Sequence, residues 1–126
     1  MKEFKKYYLI KASPEEVYEA LTHPGSIELW TGEPAEMSTE KGSEFSLWNG
    51  SIVGMNLEFE ENKKIVQHWY FNDEKPDSVV TIKLHPDKQG TSVEVRHTYI
   101  PEEFYKNISE GWDGAYFPSL KEFLED

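Results

Sequence analysis

Residues 108–124 carry large apolar side chains at helical spacing: Ile108, Trp112, Tyr116 and Leu120, with Phe123 and Leu124 closing the stripe. That spacing puts them on one face of a helix. Several strand-like runs precede this stretch, and no other segment is long enough to form a helix that covers them. A sheet with one apolar face has to bury it against another layer. The expected fold is therefore α+β: a curved antiparallel sheet of about six to seven strands wrapped around a long C-terminal helix, with two short helices after the first strand. Any functional site then lies in or around the space between sheet and helix.

The same stretch contains Gly111, Gly114 and Pro118, which are poor choices for a plain packing helix. An interior proline removes one hydrogen bond and strikes the preceding turn, at about 3 kcal/mol unless the helix kinks. Two readings stand side by side. The helix begins or bends there, or a kink and small residues leave open space beneath it.

The chain has 126 residues, which fits one domain spanning 1–126 and a core that needs no covalent staple. The absence of Cys removes disulfides, thiol chemistry and Cys-based metal sites. No apolar run approaches the roughly 20 residues of a membrane span, and nothing resembles a signal peptide, so a cytoplasmic protein is expected. The 24 acidic and 13 basic side chains give a net charge of −11. That field repels phosphate backbones and anionic bilayers, which argues against nucleic-acid and membrane partners. Seven Tyr, seven Phe and four Trp either fill a core or line a cavity that the core leaves open.

Phe4–Ala12 reads as a strand whose inward face is open, since Phe4, Tyr8 and Ile10 oppose Tyr7 and Leu9. Ser13, Pro14 and Glu16 form a capping-box helix start. Val17, Ala20 and Leu21 make that helix apolar on one face, and Pro24 ends it near Thr22. A second short helix follows, with Ile27, Leu29 and Trp30 as its contacts. Residues 31–42 read as a loop with a short edge strand near Ala35–Ser38. Asn49 and Gly50 are the favoured centre of a type I′ hairpin, pairing Leu47 with Ile52 and Phe45 with Gly54.

Lys64–Phe71 is the clearest strand, and pairing it back matches Phe59 with Ile65 and Leu57 with Gln67. The two hairpins then demand opposite parities of one strand, so a β-bulge is expected near Gly54–Asn56. Asn72–Asp77 reads as a polar loop. Ser78–His85 turns its Val80, Ile82 and Leu84 inward, and Thr91–Ile100 does the same with Val93, Val95, His97 and Tyr99.

Chemistry-bearing groups are sparse. His23, His68, His85 and His97 do not pair at ligand spacing, so no metal site is expected. There is no nucleophile elbow and no phosphate-cradling glycine loop. No cofactor is implied, and a catalytic set is not visible.

The order of elements resembles the helix-grip fold shared by START and Bet v 1-like domains. Asn49–Gly54, Lys64–Trp69, Gly90–Val95, and Gly111 and Trp112 with Tyr116, Phe117, Leu120 and Lys121 narrow the likeness. Together with Ile10–Val17 and Trp30 they resemble the C-terminal domain of the activator of heat-shock protein 90 ATPase and its stand-alone bacterial relatives. That resemblance implies a helix-grip domain with a cavity for a small apolar ligand, and contact with a chaperone as the alternative. An enzyme using the same cavity ranks third. The separate N-terminal domain of the eukaryotic activator has no counterpart here, and the fold carries no shared catalytic set. Candidate cavity residues are Phe45, Leu57, Gln67, Trp69, Phe71, Ile82, Val95 and His97 on the sheet, and Trp112 and Tyr116 on the helix. His97 and Gln67 are open to two readings, satisfied core groups or polar anchors for a ligand.

Overall fold

The computed structural model describes residues 1–71 and 76–125. Most of the loop expected at Asn72–Asp77 lies outside them. Strand β1 (Lys2–Ile10) is followed by α1 (Pro14–Thr22) and α2 (Pro24–Thr31). Then come β2 (Glu44–Leu47), β3 (Ile52–Glu60), β4 (Lys64–Trp69), β5 (Ser78–Asp87) and β6 (Gly90–Ile100). They form one six-stranded sheet in the order β1-β6-β5-β4-β3-β2, antiparallel at every pairing. The chain closes with α3 (Glu102–Gly111), one π-helical turn (Trp112–Tyr116) and α4 (Phe117–Glu125).

Local chemistry explains the helix ends. Ser13 Oγ accepts from the Glu16 N–H and Glu16 Oε1 accepts from the Ser13 N–H, each at 3.2 Å. This is the reciprocal capping box, with Pro14 at the first helical position. His23 ends α1 and caps α2, its Nδ1 accepting from the Ser26 N–H at 3.3 Å. Val17, Ala20, Leu21, Ile27 and Trp30 are buried, but Leu29 is 73% exposed. At 100° per residue Leu29 falls on the side of α2 opposite Ile27, so it makes no core contact.

The β2–β3 hairpin has the expected register, Leu47 opposite Ile52 and Phe45 opposite Gly54. Asn49 and Gly50 take positive φ, 53° and 92°, and Trp48 joins them at 50°. The bulge falls just beyond the expected stretch. Asn56 faces Gln67, then Glu58 faces Val66 and Phe59 faces Ile65. Leu57 is thus the extra residue, and Asn56 takes the place expected for Leu57. Parity is restored, so Phe45, Leu47, Gly54, Asn56, Ile65, Gln67 and Trp69 are all buried on one face.

A side chain at Gly54 would collide with the His68 carbonyl and come within 2.8 Å of Phe45 Cε1. Gly54→Ala is therefore expected to cost about 1–3 kcal/mol through overpacking. Urea unfolding reads this as a lowered midpoint, and an unchanged midpoint contradicts the close approach.

β1 turns Phe4, Tyr8 and Ile10 inward and leaves Tyr7 and Leu9 exposed. A second bulge, between Phe4 opposite His97 and Lys2 opposite Ile100, corrects the reading of β6. Tyr99 has φ 56° and is half exposed, while Ile100 is buried in its place.

Across the sheet runs the C-terminal helix, with Trp112, Tyr116, Phe117 and Leu120 buried. It neither starts nor stops at Pro118. The Phe117 N–H bonds back to the Trp112 carbonyl, a widened turn placed just before the proline that lacks the next N–H. Phe117 stacks on Tyr8 with ring centroids 3.9 Å apart and planes 6° from parallel.

Candidate functional site

A cleft of about 390 Å³ opens between the β2–β3 hairpin, the end of β4 and the π-helical turn. Its walls are Trp48, Ile52, Trp69, Ile108, Trp112 and Tyr116, with Glu33, Ser51, Asn107, Gly111 and Ala115 completing the lining. This size and apolar character suit a small-molecule site.

Two polar chains beneath the cleft fix its indoles. In the first, the Trp69 N–H donates to Gln67 Oε1 at 3.0 Å and Gln67 Nε2 donates to Asn56 Oδ1 at 3.1 Å. Asn56 Nδ2 in turn reaches Ser43 Oγ and the Ser38 carbonyl. The bulge at Leu57 is what turns Asn56 inward to complete this relay.

In the second chain, the Trp112 N–H lies 3.2 Å from His97 Nδ1. An indole N–H only donates, so Nδ1 accepts and the His97 proton sits on Nε2. Nε2 then donates to Ser78 Oγ at 2.8 Å, and the Ser78 hydroxyl donates in turn to the Thr98 carbonyl at 3.1 Å. Burial pushes the His97 pKa down to about 3. The ring is neutral, wholly buried and fully bonded. No buried side-chain nitrogen or oxygen among the described residues is left without a partner.

The expected site residues therefore separate into layers. Trp69, Trp112 and Tyr116 line the cleft. Gln67 and His97 lie one layer below and hold the indoles, the satisfied-core reading. Phe45, Ile82 and Val95 belong to the packed core. Leu57 is the half-buried bulge residue, and Phe71 stacks on Phe104 with centroids 5.5 Å apart.

Trp48, Ile52 and Glu33 were not expected at the site. Trp48 packs edge-on to Trp30 at 5.4 Å and lies 5.8 Å from Tyr116. Its position is set by the hairpin tip, where the Asn49 N–H bonds the Pro34 carbonyl at 3.1 Å. That bond also brings the neighbouring Glu33 to the mouth. Ile108 belonged to the apolar stripe of the C-terminal stretch, and Gly111 to its irregular residues.

Gly111 has ordinary helical angles, φ −64° and ψ −42°, and a Cβ added there meets nothing within 4 Å. It leaves space at the cleft wall. The Tyr116 hydroxyl has no hydrogen-bond partner among the described residues and is not sealed from solvent. Burial pushes its pKa upward, so it stays protonated, a neutral donor rather than a base. Among the described residues no group of three or more His, Asp and Glu is arranged to hold a metal ion. No described helix is long and apolar enough to cross a membrane.

Residues 11–125 match the family model described as Activator of Hsp90 ATPase homolog 1-like protein. The chain belongs to this family. The Activator of 90 kDa heat shock protein ATPase homolog of Dictyostelium discoideum is 32% identical over 114 residues, covering 88% of this chain and 30% of that protein. Homolog 1 of Homo sapiens is 30% identical over 114 residues, covering 87% of this chain and 33% of its own length. The chain thus spans about a third of the curated relatives it matches. The solution structure of the Aha1 dimer from Colwellia psychrerythraea superposes with a TM-score of 0.86 at 23% identity, covering 99% of this chain and 97% of the other. That likeness establishes the fold as the one of the Hsp90 ATPase activator family, a helix-grip architecture with a six-stranded sheet and a long C-terminal helix.

Proposed function

We propose that this chain is a non-catalytic helix-grip module that binds one small, largely apolar ligand in the cleft between the β2–β3 hairpin and the C-terminal helix. The observation that carries this reading is the cleft itself: open, walled by three indoles and a phenol, and backed by two hydrogen-bond chains that hold Trp69 and Trp112 in place. Such a preorganised first layer lowers the ordering cost of binding. Among the described residues the lining offers no acid–base pair. Glu33 and Tyr116 are its only titratable members among the described residues, and the phenol is held neutral. Of the residues expected to contact a ligand, the reading keeps Trp69, Trp112 and Tyr116 and adds Trp48, Ile52 and Ile108.

The test uses Gly111. Replacement by leucine is expected to fill the cleft while keeping or raising stability, because glycine in a helix interior costs about 0.5–1 kcal/mol relative to alanine. Gly111→Leu should lose binding of apolar probes with a thermal midpoint no lower than that of the parent. Equal binding by both proteins contradicts the assignment of the cleft.

A second reading rests on the family and on its relatives, which are named as activators of the 90 kDa heat shock protein ATPase: the module contacts heat-shock protein 90 through its surface. Titration of the purified chaperone with this chain, read as complex formation and ATPase rate, decides it. The reading requires a complex at micromolar concentration, and its absence at high micromolar concentration removes the reading.

A further inference from the structure

Three of the four indoles spend their N–H groups inside the protein. Trp30 donates to the Ala20 carbonyl at 2.9 Å, Trp69 to Gln67 and Trp112 to His97. Trp48, half-buried at the cleft wall, donates to no described residue. Beside it, with ring centroids 5.8 Å apart, stands Tyr116, whose hydroxyl also has no partner among the described residues. Tyr116 is only 5% exposed, yet neither its oxygen nor the Trp48 nitrogen is sealed off. The cleft is the open space that both residues border.

The two groups call for the same partner. An indole N–H only donates, and the phenol, kept protonated by burial, has a proton to give. The other inner walls add no free polar side chain: Ile52, Ile108 and Ala115 are apolar, and the Trp69 and Trp112 N–H groups are taken. Glu33, Ser51 and Asn107 are exposed, where water serves them with or without a ligand. A pure hydrocarbon would strip water from the phenol and the Trp48 indole and return no bond, and donors left unpaired cost affinity. A carbonyl oxygen, with two lone pairs, can accept from both. An anion would bring such oxygens too, but no Lys, Arg or His stands among the described lining residues to offset its desolvation.

Resting on the reading of the cleft as a ligand site, we infer that its ligand is a neutral apolar molecule bearing a carbonyl oxygen, which accepts from the Tyr116 hydroxyl and the Trp48 N–H. The hydrocarbon part lies along Ile52 and Ile108. The polar contact uses the edges of the two rings, not their faces, so the packing of the rings against one another does not obstruct it.

Three probes test it on the intact chain: 2-acetonaphthone, its isostere 2-isopropenylnaphthalene, in which a methylene replaces the carbonyl oxygen, and the 2-naphthoate anion. The readout is the four indole N–H resonances in heteronuclear NMR. The ketone should move the Trp48 proton downfield, as a new hydrogen bond does, and the alkene should not. Tyr116→Phe keeps the ring and removes a hydroxyl that bonds no described residue. It should weaken the ketone about five- to tenfold, leave the alkene unchanged or tighter, and keep the thermal midpoint at or above the parent's. Gly111→Leu should remove binding of both.

If Tyr116→Phe weakens ketone and alkene alike, or neither, the carbonyl inference is overturned and the apolar cleft stands. A midpoint for Tyr116→Phe well below the parent's overturns it too, because the hydroxyl is then bonded within the protein. A ketone that binds without moving the Trp48 proton overturns the part given to that indole. Naphthoate binding as tight as the ketone's overturns the neutral class. No binding of any probe by the parent overturns both this inference and the reading of the cleft.

Discussion

Trp112→Ala is expected to lower the free energy of unfolding by at least about 4 kcal/mol. The side chain is 2% exposed and packs against Trp69, His97, Tyr116 and Phe117. Truncating a buried tryptophan costs about 3–5 kcal/mol through lost contacts and the cavity left behind. It also strands His97 Nδ1 without its donor, and an unsatisfied buried acceptor adds about 1–3 kcal/mol. A domain of this kind is stable by only about 5–15 kcal/mol, so most of the margin goes. Trp112→Phe separates the two contributions, since it keeps a ring and removes only the donor and part of the volume. Urea unfolding followed by far-ultraviolet circular dichroism measures both. An alanine variant within about 1 kcal/mol of the parent would contradict the place given to this indole.

His97 gives the second large effect, and its sign follows from burial. The folded pKa is pushed down to about 3 from an ordinary 6.5, so the unfolded chain binds the proton more readily. Stability from this group is full above about pH 6.5 and is lost as pH falls toward 3. At about 1.4 kcal/mol per pH unit, the loss approaches 5 kcal/mol at the acid end. Among the described residues no carboxylate is hydrogen-bonded or ion-paired to the ring. Its described neighbours are Ser78, Trp69, Phe71 and Trp112, none of which compensates a buried charge. Glu94, held low by the His85 hydrogen bond, and Asp113, held low by Lys6 and Tyr8, add smaller losses in the same direction at lower pH. A His97→Gln variant isolates the histidine. It should begin less stable near neutral pH and lose less on acidification. In the parent, the His97 ring resonances should not titrate between about pH 8 and pH 4, and a midpoint near the ordinary value would contradict the buried neutral ring.

Much of this architecture was legible in the residues because its strongest signals are local. Ser13, Pro14 and Glu16 announce a helix start within four positions. Asn49 and Gly50 specify a turn that only positive φ satisfies, and that turn sets the register of Phe45, Leu47, Ile52 and Gly54. The bulge was readable as a conflict of parity, but parity counts an extra residue without saying which one it is. That is how Leu57 was assigned the place that Asn56 holds. Tyr99 misled for a related reason. The bulge in β6 uses a tyrosine at positive φ where no glycine marks it.

The site was less legible than the fold. Alternation put Gln67 and His97 on the inner face correctly, but a face has depth that alternation does not measure. Both residues sit under the cleft because indoles from Trp69 and Trp112 reach them, and the second of these meetings depends on how a distant helix lies across the sheet. Trp48 has no periodic pattern that places it at the cleft, because its direction is set by the tip of the hairpin. The hydrogen bond from Asn49 to Pro34, which aims the hairpin tip, joins segments whose pairing no local pattern announces. Gly111, Gly114 and Pro118 mark an irregular stretch of helix, and a π-helical turn at Trp112–Tyr116 lies there. Of the three, Gly111 lines the cleft and Pro118 follows the widened turn.

The most direct measurement of whether this cleft binds ligand is a fluorescence titration with N-phenylnaphthylamine, an uncharged apolar dye, run on the parent chain and on Gly111→Leu in parallel. A ligand site at the cleft gives saturable enhancement on the parent, none on the variant, and a thermal midpoint for the variant at or above the parent's. Equal dye binding by the two proteins, or none by the parent, would contradict it.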